Sequence, residues 1–251
     1  MVPDPNAPSV RLVPDARRVL RTIFSGRFRW LLGTLVVLMI LLPPLTTVTL
    51  LVIPNGPSLA LSDVVAALMV VIAVVAYFAT RGRLVLLALL AVTLILAAFA
   101  RHMPELRQPF GVSALLLYGL IIAVIGVRLG IEVFSTSDID GDVICGAISI
   151  YILTGLSFGA VYSAILLDSP DAFSIAENLR SQDAALGPHR IMLYFSISTL
   201  TTAGYGDITP VSDLARSLTN LQAVTGPVYL AVVLARLVSL QIARATTAPS
   251  P

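Results

Sequence analysis

Long apolar runs separated by short polar connections dominate the pattern of this chain. Six runs are long enough to cross a membrane as helices, which takes about 20 apolar residues. They lie at residues 30–53, 59–80, 84–100, 112–134, 142–167 and 214–243, and Pro43 and Pro44 interrupt the first. The pattern therefore predicts an all-α membrane protein with six transmembrane helices.

A shorter segment lies between the fifth and sixth runs. Residues 190–200 form a helix-like run that is too short to span a bilayer. Residues 201–207, which follow it, contain two glycines and two threonines. Non-helical backbone at membrane depth is tolerated only where protein buries it or where it lines water. We therefore predict a re-entrant helix and loop at this place.

Composition agrees with a membrane protein and excludes other classes. The chain has 251 residues, of which 57% are hydrophobic and 12% are charged. A soluble domain carries about twice that charged fraction. The formal net charge is only +2, so we expect no nucleic acid partner. We also expect no enzymatic site and no cofactor.

The arginines predict the topology. The chain contains no lysine, and residues 1–29 are rich in arginine, so this segment is expected in the cytoplasm. Six spans return the tail, residues 244–251, to the same side and place the mouth of the re-entrant loop outside. The loop at residues 101–109 carries two arginines outside and is a mild exception. We expect a multi-pass protein of the cell membrane, with a four-helix transmembrane domain at residues 30–134 and a pore domain at residues 141–243.

The loop after the re-entrant helix reads Thr202-Ala203-Gly204-Tyr205-Gly206-Asp207. This stretch, the filter loop, resembles the signature Thr-Val-Gly-Tyr-Gly-Asp of the potassium channels, with Ala203 where valine is usual. Glycine accepts the torsions that a wall of stacked backbone carbonyls requires. The resemblance extends over residues 141–241 and implies that K⁺ is the conducted ion. It assigns K⁺ binding to the carbonyls of Thr202, Ala203, Gly204 and Tyr205.

The resemblance also implies supporting residues around the filter loop. Gly206 and Asp207 close its outer end, and Tyr194 is expected to donate a hydrogen bond to Asp207. Many relatives have a carboxylate four residues before the filter threonine, where this chain has Ser198. Asp207 would therefore lack an acidic partner, which puts the stability of the filter in doubt.

The sixth run contains a candidate hinge. Gly226 follows Thr202 by 24 residues (226 − 202), which is the spacing of the inner-helix glycine in potassium channels. Pro227 removes a helix hydrogen bond and adds a kink. We interpret the pair as a gating hinge, and a static kink that shapes a cavity is the alternative. Arg236 is expected to reach the cytoplasmic surface; if it faced the pore, it would oppose cation exit.

Two other features bear on gating. A voltage sensor needs several arginines on one spanning helix, whereas residues 112–134 contain only Arg128, one turn before Glu132. We therefore expect no steep voltage dependence. His102 and His189 are expected in exposed outer loops.

A chain with one filter loop must assemble to enclose a symmetric pore, so we predict a homotetramer surrounded by membrane lipids. The predicted function is passive, potassium-selective conduction. Two alternatives stay open. Ala203 and Ser198 are compatible with a weakly selective cation channel. A non-conducting scaffold, or a subunit that modulates another channel, is the other possibility.

Overall fold

The fold is seen in a computed structural model that describes residues 28–37, 39, 92–93, 95–96, 107–136, 141–179 and 188–247. The helices are α1 (Phe28–Val37), α2 (Arg107–Ser135), α3 (Gly141–Asp168), α4 (Pro188–Leu200) and α5 (Asp213–Thr247). A 3₁₀ turn (Pro170–Ala172) and two strands, β1 (Phe173–Ile175) and β2 (Ile208–Pro210), complete these elements. The predicted second span, and most of the first and third, lie outside the described residues.

Three helices are long and apolar enough to cross a membrane within the described part of the chain. They are Gln108–Ser135, Gly141–Asp168 and Asp213–Leu240, with mean hydropathies of 2.5, 1.9 and 1.8. These helices coincide with the fourth, fifth and sixth predicted runs, so the all-α membrane class is supported. The six-helix count stays a prediction.

Helices α2 and α3 form the main packing interface, and they run antiparallel. Near one end, the Gln108 side chain donates a hydrogen bond to the Asp168 carbonyl over 3.1 Å. Further along, the Ser157 hydroxyl donates to the Gly119 carbonyl over 3.0 Å. Leu129, which has no exposed surface, lies in the apolar core between the two helices. The crossing is therefore held by both burial and hydrogen bonds.

Helix α1 begins against the first turn of α3. The carboxylate of Asp142, which is 6% exposed, accepts hydrogen bonds from the backbone amides of Arg29 (3.0 Å) and Phe28 (3.5 Å). The first amides of a helix have no partner within the helix, and a carboxylate there also meets the positive end of the helix dipole. A side chain of α3 therefore fixes where α1 starts, a role that the sequence did not reveal.

The two ends of this bundle differ. One end of the bundle contains the starts of α1 and α3, the end of α2 and the last part of α5. Helix α5 belongs to this end because its Arg236 binds carbonyls at the C-terminus of α2. The start of α2, the end of α3 and the two strands lie at the other end. The first described residue and the last turns of α5 are thus on the side away from the strands.

Candidate functional site

Helix α4 is anchored by an aromatic cluster beneath the two strands. Phe195 of α4 meets Tyr162 of α3 and Phe173 of β1 with ring centroids 5.2 and 5.5 Å apart, both in edge-to-face geometry. Met192, one turn earlier, is fully buried in the same cluster. Edge-to-face aromatic pairs stabilise beyond their buried area. This packing fixes the position from which the filter loop leaves α4.

The filter loop begins by folding back onto the last turn of α4. The carbonyl of Ser198 accepts hydrogen bonds from the amides of Ala203 (2.9 Å) and Gly204 (3.2 Å). The Ser198 hydroxyl donates to the Phe195 carbonyl within α4 over 2.9 Å. Ser198 thus contacts the loop through its backbone, and its hydroxyl is engaged within its own helix.

The backbone torsions of the filter loop alternate in hand. The φ angles are +59° at Thr202, +54° at Gly204 and +80° at Gly206, whereas Ala203 and Tyr205 have negative φ. A left-handed conformation is rare for a β-branched residue such as threonine and strains the backbone. Alternation of this kind turns successive carbonyls toward one side, which is what a carbonyl-lined ion path requires.

The filter loop has open space around it in the single chain. Residues 201–206 are exposed in the chain. A Cβ atom added at Gly204 or Gly206 would meet no atom of the chain within 4 Å. Torsion, and not crowding inside the subunit, is therefore the reason for glycine at both positions.

Tyr194 of α4 contacts two residues of the filter loop, Tyr205 and Asp207, and we call these three residues the bracket. The Tyr194 hydroxyl donates to the Asp207 carboxylate over 2.7 Å, so the predicted hydrogen bond is confirmed. The rings of Tyr194 and Tyr205 stack with centroids 5.7 Å apart and an interplanar angle of 3°. The hydrogen bond to the carboxylate raises the pKa of Tyr194 to about 12.

The outer end of the loop continues into a small antiparallel sheet. The Asp207 carbonyl accepts a hydrogen bond from the Ala176 amide over 3.0 Å, and Ile208 is paired with Ile175 across the two strands. The sheet ties the loop to the segment that follows α3. The sequence did not predict these strands, which are three residues each.

Gly226 lies where the inner helix α5 crosses the end of α4. A Cβ atom at Gly226 would collide with the Leu200 carbonyl, the last of α4. Tyr151 of α3 donates a hydrogen bond to the same carbonyl over 2.9 Å. Helix α5 continues through Pro227 as one helix. Gly226 therefore permits a close contact of backbones, and its use as a hinge stays a prediction.

The Arg236 side chain faces the C-terminal end of α2. Its two terminal nitrogens donate to the carbonyls of Val133 (2.9 Å) and Thr136 (2.7 Å), and the guanidinium lies 4.9 Å from the centre of the Phe134 ring. Carbonyls at a helix C-terminus lack partners within the helix and attract cations. The arginine thus joins the far end of α5 to the end of α2.

His189 lies in the first turn of α4, so the prediction of an exposed loop histidine is wrong for this residue. It is partly buried, with its Nδ1 atom 3.1 Å from the Ser163 hydroxyl and its ring edge-on to Tyr118 at 6.0 Å. Burial lowers the pKa of His189 to about 4. The imidazole is therefore neutral near pH 7. His102 lies outside the described residues.

A short helix and a loop held between two membrane-length helices form the architecture of a pore-loop ion channel. Residues 189–242 match the model of a protein family described as ion channel, and this match spans α4, the filter loop and most of α5. No curated protein and no solved structure matches the chain. The match supports an ion channel function for this part of the chain and leaves the conducted ion open.

Proposed function

We propose that the protein is a homotetrameric, potassium-selective channel that conducts K⁺ passively. The observation that carries the proposal is the positive φ at every second residue of the filter loop, at Thr202, Gly204 and Gly206. Positive φ strains the backbone at Thr202, and strain of this kind in an exposed loop points to a functional role. A ring of carbonyls that replaces the water around K⁺ gives a reason for it.

In the proposed path, K⁺ loses its water at the inner end of the filter loop. The Thr202 hydroxyl and carbonyl would take the first place, and the carbonyls of Ala203, Gly204 and Tyr205 the next ones. The bracket of Tyr194, Tyr205 and Asp207 would hold the loop open around the ion. Multiple weak sites in a row allow an ion to enter and also to leave.

The tetramer supplies what one chain lacks. One filter loop contributes one quarter of each carbonyl ring, so four chains are needed. Helix α5 has a surface available for contacts between chains, since only 6% of its most apolar window is buried within the chain. In the assembly, neighbouring subunits and the pore would face this surface, and lipid would face α2.

We further propose that the channel lies in the cell membrane with both chain ends in the cytoplasm. Two features support this orientation. The first segment is rich in arginine, and the start of α1 lies at the same end of the bundle as the end of α5. Arg128 is exposed on α2 and is the single arginine of the predicted span at residues 112–134, which is too few for steep voltage gating.

A weakly selective cation channel is the second candidate. The Ser198 hydroxyl donates to the Phe195 carbonyl within α4 and not to the Asp207 carboxylate. Ala203 also offers less side-chain volume than valine behind the filter loop. A looser filter would hold its carbonyls less firmly and would discriminate less between K⁺ and Na⁺.

Alanine in place of Gly204 tests the proposal with a matched control. Neither Gly204 nor Gly130 of α2 has an atom within 4 Å of an added Cβ, but only Gly204 has positive φ. We expect Gly204→Ala to lower K⁺ flux in liposomes by about five- to thirtyfold, because strain of about 1–2 kcal/mol favours a non-conducting loop. Gly130→Ala should conduct like the wild type. Equal flux in both variants would contradict the proposed ion path.

A further inference from the structure

A chain of hydrogen bonds, closed into a ring by the backbone of α3 between Gly155 and Tyr162, joins three helices behind the filter loop. The Tyr162 hydroxyl of α3 donates to the Gln222 side-chain oxygen of α5 over 2.8 Å. The Gln222 side-chain nitrogen donates to the hydroxyl (2.7 Å) and to the carbonyl (3.1 Å) of Ser196 in α4. The Ser196 hydroxyl donates to the Gly155 carbonyl over 2.7 Å, which returns the ring to α3.

The ring has one consistent direction of donation. The Ser196 carbonyl can only accept, so the amide nitrogen of Gln222 must face it, and the amide oxygen is left for Tyr162. Both hydrogens of the amide nitrogen and one lone pair of its oxygen are then used. A carboxylate at this position would place an acceptor against an acceptor. The site therefore specifies glutamine.

The three side chains of the ring are completely buried: Tyr162, Ser196 and Gln222 have no exposed surface. Leaving a buried polar group unpaired costs more than the hydrogen bond contributes when it is made. The ring is therefore satisfied only in one relative placement of α3, α4 and α5. Ser196 lies six residues before Thr202, on the helix that carries the filter loop.

We propose that Gln222 is a positioning residue for the filter, which fixes the depth and rotation of α4 between α3 and α5 and so sets K⁺ selectivity without touching the ion. The inference rests on the proposed function. Helix α4 carries the loop rigidly, since the Ser198 carbonyl holds Ala203 and Gly204. A small displacement of α4 thus becomes a displacement of the carbonyls.

The test compares three variants of the full-length protein in planar bilayers. Gln222→Leu removes the amide at similar volume, and Tyr162→Phe removes one hydroxyl while keeping the aromatic side chain. Ser149→Ala is the control, because Ser149 is also fully buried but its hydroxyl donates only within α3, to Cys145 over 2.8 Å. The measured quantity is the K⁺-to-Na⁺ permeability ratio, with tetramer assembly checked by size-exclusion chromatography.

We expect Gln222→Leu to lower the permeability ratio by about tenfold and Tyr162→Phe by about threefold, while Ser149→Ala keeps the wild-type ratio. If Gln222 only stabilised the fold, its replacement would alter the yield of tetramer and leave the K⁺-to-Na⁺ permeability ratio unchanged. If Gln222→Leu does not assemble, the permeability ratio of Tyr162→Phe decides whether the inference holds.

Two results overturn the inference and can be told apart. If the wild type is selective and both variants match it, Gln222 does not position the filter, and the proposed function stands. If the wild type itself does not distinguish K⁺ from Na⁺, the proposed function fails, and the inference fails with it.

Discussion

Helices α3 and α5 have the same apolar character and opposite surroundings. Their membrane-length segments have 28 residues each and mean hydropathies of 1.9 and 1.8. Half of the most apolar window of α3 is buried within the chain, against 6% for α5. Hydropathy therefore identifies both helices as membrane segments but does not reveal what lies against each one.

The contacts of α5 with its own subunit follow one narrow stripe. Their spacing is that of a single helix face, at Gln222, Gly226, Tyr229, Val233 and Arg236. The Tyr229 hydroxyl, for example, donates to the Ala147 carbonyl over 2.6 Å. Helix α3, in contrast, packs against α2 on one side and α4 on the other. Because α5 contacts the rest of its chain along one face, the loss of any one of these contacts should lower stability.

The largest expected effect is at Gly226. An added methyl group would meet the Leu200 carbonyl, which is backbone and cannot rotate away. We expect Gly226→Ala to destabilise the protein by about 3 kcal/mol, the upper range for overpacking. Thermal unfolding in detergent measures this.

Gly130→Ala, at a helical glycine with open space around it, should leave the unfolding temperature unchanged or raise it slightly. If Gly226→Ala unfolds at the same temperature as Gly130→Ala, the close approach of α5 to α4 is wrong.

A smaller effect is expected at His189 of α4, which contacts Ser163 of α3 and Tyr118 of α2. Its pKa is lowered to about 4 in the folded protein, against about 6.5 in an unfolded chain. The unfolded state therefore binds more protons between these values, and stability is lost as pH falls below about 6.5. We expect the free energy of unfolding to fall by about 1 kcal/mol per chain between pH 7 and pH 5.5.

Thermal unfolding at the two pH values measures the His189 effect, and His189→Gln should abolish most of it. Carboxylates titrate mainly below this window, so they interfere little. A pH dependence that persists in His189→Gln would assign it to another group.

The contrast between the similar hydropathy and the different contacts of α3 and α5 also explains which features could be predicted from the sequence. The predicted run 142–167 differs from α3 (Gly141–Asp168) by one residue at each end, because apolar composition alone marks a membrane helix. The bond from Tyr194 to Asp207 was predictable because the resemblance supplied both residues.

Other features needed three-dimensional information. The strands around Ile175 and Ile208 are short, and their pairing joins segments far apart in sequence. The direction of Arg236 depends on where α2 ends. Gln222 was overlooked, although a glutamine in an apolar spanning run is itself a signal, since polar side chains in membranes seek partners.

The central claim is that the filter loop conducts K⁺ in preference to Na⁺. The most direct measurement is the reversal potential of the purified wild-type protein in a planar bilayer, with K⁺ on one side and Na⁺ on the other. We predict a large potential of the sign set by K⁺ flow. A potential near zero with measurable current would contradict potassium selectivity and favour the weakly selective cation channel.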